Sequence, residues 1–156
     1  MESNELGTTP AECGARPGRV AARLAKLVER AVTEADLSLP QYRLLALLSE
    51  DSVVASALAD KLAVSPPSVT ALVDGLVARG LVERRPDATD RRRVAHVLTR
   101  EGHATLAGAD AAAAAALTRL ADLLPASRRR RAVDGLELWG DALDAARTER
   151  TRSLTR

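Results

Sequence analysis

Two adjacent prolines, Pro66 and Pro67, constrain this fold more than any other feature of the chain. Inside a helix a proline removes a backbone hydrogen bond and clashes with the preceding turn. Both residues therefore belong in a first turn, where the N–H groups have no helical partner to lose. Ser65 stands directly before them as an N-cap, its hydroxyl placed to accept from one of those N–H groups. Val69, Leu72, Val73 and Leu76 then recur at helical spacing as an inward stripe, and Gly80 supplies the left-handed residue that ends the helix. The segment is thus a short, capped, amphipathic helix with both ends fixed by residue chemistry.

Its neighbours extend the pattern. A shorter helix is predicted from Ala55 to Leu62, about three residues upstream, and two such helices joined by a tight turn form a helix-turn-helix. Downstream, "LVERR" (Leu81 to Arg85) and "RVAHVL" (Arg93 to Leu98) read as paired strands around the polar loop "PDATDRR". Thr99 can cap a long helix from Arg100 to about Leu124, with Leu106, Ala109, Ala113, Leu117, Leu120 and Leu124 on one face. Pro125 interrupts it, and a last helix is predicted from about Ser127 to Arg147 with Ala132, Leu136, Trp139, Leu143 and Ala146 in register. On the N-terminal side, Val20, Leu24, Leu27, Val28, Ala31 and Ala35 mark one helix. A second, from Pro40 to about Ser49, carries Tyr42, Leu44, Leu45, Leu47 and Leu48 and reads as buried on most sides. The fold class is mainly α with a small β-hairpin.

Composition decides how such a chain closes its core. Aromatic residues make up 1% of it, with no Phe, one Tyr and one Trp. Leu, Val and Ala must fill the interior, and they bury less area per residue than aromatic rings do. Residues 40–98 can close a small core of their own. The stripes at 20–35, 106–124 and 132–146 would together expose more apolar surface than the few hundred Å² common on soluble monomers. A two-fold symmetric dimer buries them, since such dimers are the commonest oligomers; the alternative is a monomeric helical bundle.

The formal net charge of +2 hides a local imbalance. From Arg84 to Arg93 five arginines face only Asp87 and Asp90, and further basic runs lie at Arg128–Arg131 and from Arg147 to Arg156. Standing alone, such runs read either as solvated faces or as contacts for an anionic partner.

Several classes of function find no support. The single cysteine, Cys13, allows no internal disulfide and no cysteine-rich metal ribbon. His96 falls on a strand and His103 in the first turn of a helix, neither spaced with other ligands for a metal. No phosphate-cradling glycine loop or serine elbow occurs, so neither enzymatic activity nor a cofactor is expected. No secretory signal is legible at the N-terminus, and no apolar run approaches the ~20 residues of a membrane span. The expected location is the cytoplasm. Residues 1–16 are polar and aperiodic, and they are expected to be disordered.

Together, "LSLPQYRLLALL", "LADKLAVSPPSVTALVDGLVARGLVERR" and "DATDRRRVAHVLTREG" resemble the MarR family of bacterial transcription regulators, over about residues 20–146. The most specific local match is Asp90-Arg91-Arg92 followed by "LTREG". The resemblance implies a winged helix-turn-helix at 39–98 within a single domain of residues 17–156, with 17–38 and 99–150 as a helical dimerisation region. It implies that a homodimer binds double-stranded DNA at a pseudo-palindromic, A·T-containing operator. Usually such a protein is a repressor, released by a small aromatic or phenolic effector. It further implies that Arg92 enters the narrow minor groove of A·T-rich DNA, where negative potential is enhanced, and that Asp90 holds its guanidinium. Arg91 and Arg93 would meet phosphates.

The helix beginning at Ser65 and Pro66 would read the major groove, but with unusual equipment. Its outward positions are Pro67, Ala71, Asp74 and Ala78, flanked by Ser68, Thr70 and Gly75. No Arg, Asn or Gln is available for bidentate reading of guanine or adenine. Methyl contacts from Pro67 and Ala71 and single hydroxyl bonds from Ser68 and Thr70 remain. Base discrimination per half-site is therefore expected to be modest, with groove shape and half-site spacing supplying much of the specificity. Ala63 stands where the family often has glycine in the turn, and Gly75 where it often has a basic residue. One branch of the family senses peroxides through an N-terminal cysteine surrounded by tyrosines. Cys13 has no such surroundings in this sequence and reads as incidental. An alternative from another class is a winged-helix module that dimerises and binds protein instead of DNA.

Overall fold

The computed structural model describes residues 16–50, 53–62, 64–87 and 92–154. Residues 1–15, with Cys13, and also Ala63, Asp90 and Arg91 lie outside the described residues, so the expectations attached to them are not addressed by it. The described elements are α1 (Arg16–Glu34), α2 (Leu39–Glu50), β1 (Val53–Val54), α3 (Ala55–Leu62), α4 (Pro66–Ala78), β2 (Val82–Pro86), β3 (Val94–Leu98), α5 (Arg100–Ala121) and α6 (Ala126–Leu154). This is the mainly helical class with a β-hairpin wing that the residues predicted.

Helix boundaries follow from side-chain chemistry. Ser38 and Gln41 form a capping box at the start of α2. The Ser38 N–H donates to Gln41 Oε1 at 2.9 Å, and the Gln41 N–H donates to Ser38 Oγ at 3.3 Å. At the end of α1, Asp36 takes φ 60°, a left-handed conformation that Asp tolerates better than most residues. The Asp36 and Leu37 N–H groups then donate back to Thr33 O and Val32 O, both at 3.0 Å. Val32 and Leu37 are buried together in the core, although the predicted stripe omitted both; Val20, which it included, is exposed.

Three differences from the sequence reading concern lengths and one short strand. Strand β1 was not expected, because two residues cannot show an alternating pattern. It pairs antiparallel with β3, Val53 opposite His96 and Val54 opposite Ala95, which gives a three-stranded sheet in the order β1-β3-β2. Helix α5 ends at Ala121 instead of Leu124. There Leu123 and Leu124 donate to Leu120 O and Ala121 O in a tightened terminal turn just before Pro125. Helix α6 continues to Leu154, past Arg147, since the apolar stripe stops there but no Gly or Pro stops the helix.

The chain divides into two compact units between Ala114 and Ala115. In the first, α2 packs on α1, α3, α4 and β3, while α4 packs on α3 and β2. Leu44, Leu45, Leu58, Val69, Val73 and Leu76 form its centre, joined by Leu106 and Ala109 from the first turns of α5. In the second unit, Arg129 closes the end of α5. Its Nε donates to Leu124 O and its Nη2 to Asp122 O, both at 3.1 Å, and Nη1 lies 3.2 Å from Asp122 Oδ1. Arg130 lies 3.7 Å from Asp134. Two arginines of the Arg128–Arg131 run are thus occupied within the chain.

Candidate nucleic-acid interface

Helix α4 is built as its residues require. Ser65 is extended (φ −67°, ψ 149°), and its Oγ accepts from the Ser68 N–H at 3.4 Å, with Pro66 and Pro67 at the first two helical positions. The Ser65 and Ser68 hydroxyls also hydrogen-bond each other at 2.8 Å. At the other end, Gly80 has φ 70°. The Gly80 N–H donates to Val77 O at 2.9 Å and the Leu81 N–H to Leu76 O at 3.0 Å, the pair of bonds that defines a Schellman end. Leu76 and Leu81 are both buried, as that motif favours. Arg79 reaches from this end to Asp36 at 2.9 Å and so ties the ends of α4 and α1 together.

The inward stripe of Val69, Val73 and Leu76 is fully buried, with Leu72 partly so. Pro66, Pro67, Ser68, Thr70, Ala71 and Asp74 are exposed. The Thr70 hydroxyl donates to Pro66 O at 3.2 Å, so its hydrogen is engaged within the helix while its methyl and the acceptor capacity of its oxygen remain. The predicted outward face therefore exists, and it offers fewer donors than its composition suggests.

The wing rises beside it. Strands β2 and β3 pair from Val82 opposite Leu98 to Pro86 opposite Val94, and the Asp87 N–H donates to Arg93 O at 3.0 Å. Val82 and Leu98 are buried at its base, and Ala95 and His96, which β1 pairs with, are buried farther along β3 opposite Arg85 and Arg84; Arg84, Arg85, Arg92 and Arg93 are exposed. The central strand is thus held in the sheet while the outer strand and the far end of the hairpin carry exposed charge. Arg85 pairs with Glu83 on its own strand, and Arg84 crosses to Asp74 of α4.

The wing and the long helix meet at one polar knot. Thr99 Oγ1 donates to Gly80 O at 2.7 Å and accepts from the Gly102 N–H at 2.9 Å, while the Thr99 N–H donates to Leu81 O at 3.1 Å. Gly102 is required there, because a β-carbon in its place would overlap the Leu81 carbonyl. The "LTREG" sequence thus joins the end of α4 to the start of α5.

The sequence profile of the MarR family matches residues 35–93. An uncharacterized HTH-type transcriptional regulator of Bacillus subtilis strain 168, YfiV, is 30% identical over 115 residues, spanning 73% of this chain and 72% of that protein. The chain belongs to the MarR family. It is a DNA-binding transcription regulator of the winged helix-turn-helix type. Among solved structures, the transcriptional repressor CouR bound to a 23-mer DNA duplex is similar with a TM-score of 0.64 and 27% identity, covering 90% of this chain and 98% of that one. CouR from Rhodococcus jostii RHA1 bound to p-coumaroyl-CoA gives a TM-score of 0.62 and 28% identity, covering 86% and 94%.

Of the sequence-predicted site residues, Ser65, Pro66, Pro67, Ser68, Thr70 and Ala71 share α4 and its cap, while Arg92 and Arg93 lie on the wing of the same compact unit. The pairing of Arg84 with Asp74 is not legible in the sequence. Ten positions separate the two residues, and no periodicity links them. Among the described residues no group of His, Cys, Asp and Glu is arranged to hold a metal ion, and no helix is long and apolar enough to cross a membrane.

Proposed function

We propose that this regulator is a homodimeric repressor acting in the cytoplasm, without enzymatic activity. It would bind a pseudo-palindromic, A·T-containing operator and leave it when a small aromatic or phenolic effector binds. The observation that carries this reading is the pairing, in one compact unit, of a rigidly capped helix with an arginine-bearing wing. The likeness to CouR, which has been captured both on a DNA duplex and with p-coumaroyl-CoA, supports the operator and the effector class. The exposed apolar residues of α6 support the dimer, with residues 17–38 and 99–150 as its helical region and 39–98 as the DNA-binding lobe.

In this reading Ser65, Pro66 and Ser68 bring the positive end of the α4 dipole and its uncommitted polar groups to a phosphate. Pro67, Thr70 and Ala71 face base edges. Arg92 enters the minor groove with Asp90 as its holder, and Arg91 and Arg93 meet phosphates. An effector that favours a spacing of the two lobes unsuited to one face of DNA lowers DNA affinity through linkage.

The test is Arg92→Ala, measured by fluorescence anisotropy on A·T-rich and G·C-rich duplexes. Loss of a groove-inserted arginine should cost about 1–3 kcal/mol on the A·T-rich duplex and narrow the gap between the two. Unchanged affinity on both would remove the wing from the DNA contact. If the wild type binds no duplex even at low salt, the basic wing serves a protein partner instead.

A further inference from the structure

Asp74 is the only charged side chain on α4, and it sits on the outward face with Pro67 and Ala71. Its side chain is 56% exposed and receives the guanidinium of Arg84, itself 45% exposed, from β2. A pair this open to solvent contributes little to folding. Its position on the face that reads DNA is the more consequential fact. A carboxylate there repels the phosphates of any duplex, and the arginine best placed beside it is turned toward the protein.

We infer, resting on the DNA-binding reading above, that Asp74 is a specificity-determining residue that suppresses sequence-independent binding. It does so in two ways. It places a negative charge at the reading face, and it keeps Arg84 from a phosphate. Non-specific affinity is almost wholly a matter of cations on phosphates, so each effect lowers it directly. A matched site offsets the cost, because the carboxylate retains acceptor capacity beyond the Arg84 bond and the exocyclic amino groups of cytosine and adenine are donors in the major groove. On a mismatched site that donor is out of place, and the repulsion stands. Discrimination is a difference of two affinities, and it widens when the wrong complex is penalised more than the right one. For a helix without Arg, Asn or Gln this is a route to specificity that needs no bidentate contact.

The experiment uses the full chain and two probes: a random-sequence duplex, and a duplex selected by the wild-type protein from a random pool. Asp74→Asn keeps the shape of the side chain and removes its charge. Affinity for the random duplex should rise about three- to tenfold, and the slope of log affinity against log salt should steepen by about 0.9 as Arg84 gains one phosphate. Affinity for the selected duplex should gain less than that for the random one, because the neutral amide is a weaker acceptor for the base amino group, so the ratio of the two falls. Adding Arg84→Ala to Asp74→Asn should return the slope to its original value, a response that a purely structural pair would not give. Equal gains on both duplexes, or an unchanged random-duplex affinity and slope, would overturn the inference while leaving DNA binding intact. A fall on both duplexes with a lowered melting temperature would overturn it too, as the mark of a fold-stabilising pair. No binding by the wild type would overturn both this and the reading beneath it.

Discussion

Residues up to Ala114 and residues beyond it draw on the same aliphatic alphabet and use it in opposite ways. In the first unit the large apolar side chains of α2 and α4 are buried or partly buried; among the described residues Val20 and Val94 are the large apolar ones left exposed there. In the second unit Trp139 is 66% exposed and Leu143 68%, and Leu123, Leu136 and Leu138 are exposed with them. The difference lies in what covers the stripes. Helices α2 and α3 and strand β2 pack on α4 from several directions, so a small Leu- and Val-based core closes. The α6 stripe meets solvent. At roughly 25 cal/mol per Å² of apolar area, such surface strongly favours a second copy of the chain.

The sharpest way to break this contrast is to truncate one apolar residue in each region. Leu76, with 0% exposure, should cost about 2–5 kcal/mol on replacement by Ala, read by urea unfolding of dilute protein. Gly102→Ala comes next. Its added methyl group must displace the Leu81 backbone, at a cost of about 1–3 kcal/mol, and the Thr99 knot should loosen with it. Trp139→Ala should leave unfolding of the dilute chain almost unaltered and weaken self-association by about 2 kcal/mol in sedimentation equilibrium. Equal losses of dilute-chain stability for Leu76→Ala and Trp139→Ala would erase the distinction between the two regions.

The smallest effect concerns a bond between α2 and the part of α5 that belongs to the first unit. Tyr42 on α2 donates to Asp110 of α5 at 2.7 Å. Burial, then the hydrogen bond to Asp110 and its negative charge, push the phenol up to about 12. The folded state therefore prefers the neutral phenol more than the unfolded chain does. That contribution is fully present below about pH 10, the unfolded value, and is lost as pH rises toward about 12. Tyr42 is the only tyrosine, so tyrosinate absorbance reports it alone. Its midpoint should lie near 12 in the native protein. Tyr42→Phe should lower stability slightly at neutral pH and flatten the alkaline decline; a native midpoint near 10 would refute the assignment.

Much of the reading head was legible because its constraints are local. Proline at a first turn, a serine before it and glycine at a left-handed end act within a few residues, and the backbone obeyed each of them. The wing was legible as two strands around a polar loop, and Thr99 as a cap. Less was legible where the cause was distant. Strand β1 exists only because β3 is there to receive it. Val32 is buried by residues from α2 and beyond, and the stripe counted from Val20 missed it. The helix of α6 outlasts its apolar pattern, which ends near Ala146 and so marks an earlier stop than Leu154.

The sequence by itself determined where α4 begins and ends, which of its sides is apolar, and that arginines crowd the hairpin. Those outcomes depend on dihedral preferences and hydrogen bonds spanning fewer than about five residues. Only the tertiary structure decided that Arg84 meets Asp74, and that Gly102 must be glycine. Both depend on how closely separate elements approach, and that distance is set by the packing of the whole core.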